Sequence, residues 1–143
     1  MSSDLEWLLL RNYNSFMVKG LPEGPIFSKE PGNLRNLHSH KFSGLANSKT
    51  IDISDNNGTL QITTRKVKTS SPHVVKSGKS VSTVRPRSGP RRALGVATAT
   101  SRRGYRPDLR TSALARTSAL LSAQKEPKAT PPKKVRGSKK NSA

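Results

Sequence analysis

The sequence predicts an α+β protein: a small N-terminal head of one short helix and antiparallel strands, then a basic extended arm, then a C-terminal helix. Three observations carry that prediction. Bulky apolar residues are segregated, because every Ile, Phe, Trp and Met lies before residue 64. Two alternating runs, Thr50-Ile51-Asp52-Ile53 and Thr59-Leu60-Gln61-Ile62-Thr63, flank Asp55-Asn56-Asn57-Gly58. Charge is equally lopsided. Residues 1–63 balance six bases against six acids, whereas residues 64–143 hold 21 Lys and Arg against Asp108 and Glu126, which is the whole formal charge of +19. A core drawn from about 60 residues buries only roughly 60% of its unfolded surface, so the head is expected to be marginal and to gain stability from a partner.

In chain order, Ser3-Asp4-Leu5-Glu6 reads as a capping box opening a helix over roughly 4–12, with its acids suited to the positive helix end. The apolar residues of that helix surround it rather than forming a stripe, so a strand is the alternative. Phe16-Met17-Val18 reads as a first strand ended by Gly20 and Pro22, and Ile26-Phe27-Ser28 as a second closed by Pro31-Gly32; Lys41-Phe42-Ser43 is a weaker candidate. Asn-Gly is the preferred pair for a tight type I′ turn, which makes 50–63 a hairpin with Ile51, Ile53, Leu60 and Ile62 on one face. Residues 65–92 mix bases with Ser, Thr, Pro and Gly and read as extended, ordering on a partner. A helix over 91–103 is weakened by Gly95 and several β-branched residues. Pro107 and Asp108 suit the start of a last helix over roughly 107–124. It carries Leu109, Ala113 and Leu120 on one strip, Leu114 and Leu121 offset, and Arg110 and Arg116 at the edges. After it, Pro127, Pro131 and Pro132 break regular structure ahead of a basic end.

Several function classes find little support. Without cysteine there is no disulfide scaffold or thiolate site. His38-x-His40 lacks a third metal ligand nearby, the carboxylates have structural reasons for their places, and no glycine-rich loop opens a helix. Neither a catalytic residue, a metal, a cofactor nor a small-molecule substrate is expected. Asn57-Gly58-Thr59 matches a glycosylation site, but the turn explains it. No apolar run approaches the ~20 residues of a membrane span, and acids precede Trp7-Leu8-Leu9-Leu10 where a signal peptide needs bases; a soluble, intracellular chain is expected.

The positive half points to nucleic acid. The candidate binding residues are Arg65, Lys66, Lys68, Lys76, Lys79, Arg85, Arg87, Arg91, Arg92, Arg102, Arg103, Arg106, Arg110 and Arg116, with Tyr105 as a candidate to stack on a base or to pack on its own helix. Between 85 and 116 only Arg occurs among the bases, which favours bidentate phosphate contact and stacking. RNA fits better than DNA: no helix-turn-helix, zinc finger or basic zipper is present, and flexible arms suit the crevices of folded RNA. The basic half lacks the aromatic and Leu-rich face of a membrane-surface helix.

The segments Leu8 to Lys19, Phe27 to Leu34, Ser43 to Thr50 and Tyr105 to Arg110 with Ala113 to Arg116 resemble, in order and spacing, the eukaryotic large-subunit ribosomal protein family number twenty-eight. The resemblance covers most of 4–66 and 104–125. Over 67–103 family members are more helical, and this chain is richer in Ser, Pro and Gly. It implies a structural component of the large subunit of the cytosolic ribosome. Such a component would pack its C-terminal helix on ribosomal RNA, contact neighbouring ribosomal proteins, and pass through the nucleus and nucleolus for assembly. Pro131-Pro132-Lys133-Lys134-Val135-Arg136 could serve that import or simply contact RNA. The expected organisation is a head over 1–66, an arm over 67–104, a basic helix over 105–125 and a tail over 126–143. An assembly factor bound to precursor RNA is the alternative, and a chromatin protein a more distant one.

Overall fold

Helix α1, Ser3–Leu10, opens the fold. The computed structural model describes residues 2–20, 22–66, 78–125 and 129–131; the expectations for Lys68, Lys76 and the tail from 132 onward lie outside these. The cap of α1 is Ser2 rather than Ser3. The Ser2 hydroxyl accepts from the Asp4 N–H at 3.4 Å and its carbonyl accepts from Glu6. The capping box fails because the helix starts one residue early, so Glu6 sits past the reciprocal position.

Strands β1 (Met17–Val18) and β2 (Phe27–Ser28) form a two-stranded antiparallel sheet. Strands β3 (Ile51–Asn56), β4 (Thr59–Arg65) and β5 (Lys79–Thr83) form a second sheet in the order β3-β4-β5. The hairpin is the predicted one. Asn57 and Gly58 both take positive φ (50° and 76°), as a type I′ turn requires, and Ile53 pairs with Ile62. Ile51, Ile53, Leu60 and Ile62 are 0–3% exposed.

The polypeptide departs from the sequence reading in three places. Lys41-Phe42-Ser43 is a turn, in which the Ser39 carbonyl accepts from both Phe42 and Ser43. Residues 79–83, expected to be extended and to order only on a partner, add strand β5 to β4 with Gln61 opposite Thr83 and Arg65 opposite Lys79. This edge strand is exposed along its length and has a single apolar residue, Val81, so it carries no alternating apolar pattern; its backbone finds partners instead. Finally, residues 90–102 form helix α2 (Pro90–Arg102) despite Gly95, Thr98 and Thr100.

Helix α2 exists because of what it packs against. A 3₁₀ turn, Pro107–Leu109, leads into α3, Arg110–Ala123, and α2 lies along α3. The contact stripe of α2 is Ala93, Ala97, Thr98 and Ser101, at helical spacing, and that of α3 includes Ser112, Ala113 and Thr117. The two buried threonines are satisfied inside their own helices: Thr98 Oγ1 donates to Leu94 C=O at 3.0 Å, and Thr117 Oγ1 to Ala113 C=O at 2.8 Å. Helix propensity here is overridden by tertiary packing.

The core is therefore not confined to the first 63 residues. Ile51, Ile53, Leu60 and Ile62 from the sheet meet Val84, Ala93, Ala97, Leu109 and Ala113 from the basic half, with Leu34 from the connecting loops. Leu109 and Ala113 are buried, and Leu120 and Leu121 pack at the margin, so the predicted strip of the last helix is the face that faces the core.

Candidate nucleic-acid interface

Two loops that carry family-like motifs lock together through a buried carboxylate. Glu30 is 4% exposed. Its carboxylate accepts from Asn33 Nδ2 at 3.0 Å and from Ser43 Oγ at 3.1 Å. Asn33 Nδ2 also donates to the Leu37 carbonyl at 2.8 Å, and Asn47 Nδ2 donates to the His40 and Ser43 carbonyls. A Cβ on Gly44 would stand 2.0 Å from the Pro31 carbonyl oxygen, so only glycine permits this approach of loop to loop. These contacts make a rigid platform from residues 28–47, which contain little regular structure.

The basic half is tied to the hairpin by Tyr105 and to the platform by its neighbour Arg106. The Tyr105 hydroxyl accepts from the Thr50 N–H at 3.1 Å and donates to the Arg65 carbonyl at 2.5 Å, with the Thr50 carbonyl at 3.3 Å. Thr50 and Arg65 are the two chain ends of the β3–β4 hairpin, so Tyr105 closes its mouth. Burial pushes the Tyr105 phenol above its usual value, against the lowering effect of the backbone hydrogen bonds and nearby arginines. Arg106 takes a left-handed backbone (φ 53°) and spreads its guanidinium over three partners: the Asp108 carboxylate (Nη2 to Oδ2, 2.9 Å), the Lys49 carbonyl (2.9 Å) and the Lys41 carbonyl (2.8 Å). The Arg106 hydrogen bond holds the Asp108 carboxyl below the ordinary carboxylate range.

These contacts sort the sequence-nominated residues. Tyr105 packs within the chain, with its hydroxyl engaged by the ends of the β3–β4 hairpin rather than against its own helix as expected. Arg106 is committed to backbone carbonyls and Asp108. Arg116, half-buried, donates from Nε to the Ile53 carbonyl at the edge of the sheet at 3.3 Å. The other described candidates are solvent-exposed: Arg65, Lys66, Lys79, Arg85, Arg87, Arg91, Arg92, Arg102, Arg103 and Arg110. Arg65 reaches back to the Asn47 carbonyl at 3.4 Å. Among the described residues no carboxylate lies within ion-pair distance of Arg85, Arg87, Arg91, Arg92, Arg102, Arg103 or Arg110.

Helix geometry arranges four of these arginines. With 3.6 residues per turn, Arg91 and Arg102 share one side of α2, and Arg92 and Arg103 share the adjacent side. Arg92 and Arg103 lie opposite the Ala93–Ala97–Ser101 stripe, whereas Arg91 and Arg102 border it beside buried Thr98; the members of each pair stand about 16 Å apart along the axis. Arg91 and Arg92 crowd the positive end of α2, and its first turn contains no acid. Cations there oppose the helix dipole, an arrangement that a bound anion relieves. The structure thus presents exposed arginines on a helix packed against α3.

His38 and His40 lie against α1. Trp7 lies over His38 and His40, with ring centroids at 4.9 and 5.7 Å, and His38 Nε2 meets the Arg11 carbonyl at 2.9 Å. This packing seats α1 on the loops.

A profile of the Ribosomal L28e protein family matches residues 5–123, a span that includes the 67–103 stretch. The chain is 39% identical over 130 residues to the large ribosomal subunit protein eL28 of Dictyostelium discoideum, covering 87% of this chain and 93% of that protein. It is 35% identical over 131 residues to the eL28 of Schizosaccharomyces pombe, covering 90% and 96%. A shorter match, 43% identical over 54 residues, joins it to the eL28 of Caenorhabditis elegans, covering 38% and 43%.

Proposed function

The chain belongs to the ribosomal L28e protein family, and on that premise we propose that it is a structural constituent of the large subunit of the eukaryotic cytosolic ribosome that binds and stabilises ribosomal RNA. The observation that carries the RNA reading is the exposed set Arg85, Arg87, Arg91, Arg92, Arg102, Arg103 and Arg110, which have no ion-pair partner among the described residues. It is borne by a helix pair and its flanks, which Tyr105 and Arg106 tie to the hairpin and the platform. Arg91, Arg92, Arg102 and Arg103 face outward at two points about 16 Å apart along α2, which suits bridging phosphates from separate RNA segments. Arg85, Arg87 and Arg110 extend that surface, and Arg65, Lys66 and Lys79 add charge where β4 and β5 meet. Lys68 and Lys76 belong to the same basic run in sequence. Tyr105, Arg106 and Arg116 act differently in this reading: they hold the scaffold on which the contact residues stand. The protein performs no catalysis; its work is to order RNA by neutralising it. It reaches cytosolic ribosomes after assembly in the nucleolus, in contact with neighbouring ribosomal proteins.

Sedimentation tests this reading. Full-length tagged protein should travel with the large subunit and with translating ribosomes through a sucrose gradient at moderate salt. Confinement to precursor particles would make it an assembly factor, and retention on chromatin after ribonuclease would make it a DNA-packaging protein.

A further inference from the structure

Helix α1 is seated with its more apolar side outward. Leu5, Leu8 and Leu9 stand at i, i+3 and i+4 and so share one face. They are 48%, 55% and 70% exposed, and no residue of the helix is buried. The inward side is carried by Trp7, which packs on His38 and His40, and by half-buried Glu6 and Leu10. Tyr13, just beyond the helix, is 87% exposed. A continuous leucine face turned to water marks a contact surface.

The charge on this helix says what covers it. Residues 2–10 contain Asp4 and Glu6 and no base, in a protein whose formal charge is +19. Phosphates would be repelled by the two carboxylates and would gain nothing from leucine side chains. A second copy packed about a two-fold axis would set the same acids against themselves. From these observations we infer that the Leu5–Leu8–Leu9 face of α1 docks on another protein of the large subunit, at an apolar patch rimmed by Lys and Arg. This rests on the large-subunit reading and adds a protein-facing surface to the RNA-facing one. The molecule then has two kinds of contact surface: arginines on α2 for RNA, and the leucines of an acidic helix, α1, for protein.

The test uses the full chain inside large subunits. A photo-crosslinking amino acid in place of Leu8 should couple, in purified subunits, to a protein segment with apolar and basic residues. Coupling to ribosomal RNA, to a second copy of this chain, or to nothing would overturn the inference. Independently, the variant Leu5→Glu, Leu8→Glu, Leu9→Glu alters only exposed side chains and should keep the wild-type circular dichroism spectrum. In a salt wash near 1 M, where screening shortens to about 3 Å, this variant should leave the subunit at least ~10-fold faster than wild type, since each leucine contact is expected to be largely insensitive to salt. Equal release rates would also overturn the inference. If wild-type protein is absent from large subunits, the broader reading fails and the docking surface fails with it. If wild type is present and the variant matches it, only the docking surface fails.

Discussion

Replacing Tyr105 with Phe removes one oxygen and leaves two backbone groups without their partner. The hydroxyl accepts from the Thr50 N–H at 3.1 Å and donates to the Arg65 carbonyl at 2.5 Å. Stripping a hydrogen-bond partner from a buried group costs about 1–3 kcal/mol. Because Tyr105 is half-buried and water can reach part of the site, the lower half of that range applies, about 1–2 kcal/mol. On a fold whose total stability is expected to be 5–15 kcal/mol, that is a sizeable fraction. With a urea dependence of roughly 1–2 kcal/mol per molar, the midpoint should fall by about 1 M, with an unchanged slope. Urea titration followed by circular dichroism at pH 7 measures it directly. The same pin predicts alkaline behaviour. The folded-state phenol titrates above its unfolded value of about 10, so its contribution is complete below that value and is lost as pH rises through the folded value. Tyr105→Phe should abolish that part of the alkaline loss. A Phe variant as stable as wild type, with the same alkaline profile, would refute the assignment of Tyr105 as the closure of the hairpin.

Other consequences can be checked the same way. Arg106→Lys should cost about 1–3 kcal/mol in urea unfolding, since one ammonium cannot hold Asp108 and two carbonyls as a planar fork does; stability within about 0.5 kcal/mol of wild type would contradict this. Asp108 titrates below its unfolded value, so its small, solvent-screened contribution is present above about pH 4 and is lost as pH falls through the lowered value. An Asp108→Asn variant should therefore show a shallower acid loss below about pH 4. Ala97→Leu forces bulk between α2 and α3 and should destabilise by about 1–3 kcal/mol, read as a lowered melting temperature. Gly44→Ala should also lower the melting temperature, because the new methyl meets the Pro31 carbonyl; an unchanged value would show that the loops can separate freely.

Local signals were legible and non-local ones were not. The hairpin could be read because alternation and Asn57-Gly58 specify both its face and its turn within 14 residues. The last helix could be read because Pro107 and Asp108 open the 3₁₀ turn that leads into it and Leu109 and Ala113 mark its inner side, although α3 itself starts at Arg110, three residues later than expected. Helix α2 was obscured because its buried residues are Ala, Thr and Ser, whose helical stripe has meaning only beside the matching small residues of α3. Strand β5 was hidden because an edge strand such as Lys79–Thr83 needs backbone partners rather than apolar alternation. The candidate site divides in the same way. Exposure of the arginines followed from their density, but the commitment of Tyr105 and Arg106 to Thr50, Arg65, Lys41 and Lys49 depends on residues some 40 to 65 positions away. The Glu30–Asn33–Ser43 network had a signal, since a lone carboxylate sat among motif residues, yet its burial becomes visible only when the two loops meet.

Binding of full-length protein to large-subunit ribosomal RNA as a function of salt tests the arginine surface most directly. Log affinity should fall linearly with log salt, and losing four phosphate contacts in an Arg91→Ala, Arg92→Ala, Arg102→Ala, Arg103→Ala variant should flatten the slope by about 3–4 while the fold persists. A variant with the wild-type slope, or a wild-type protein whose affinity barely responds to salt, would contradict an RNA-binding role for α2.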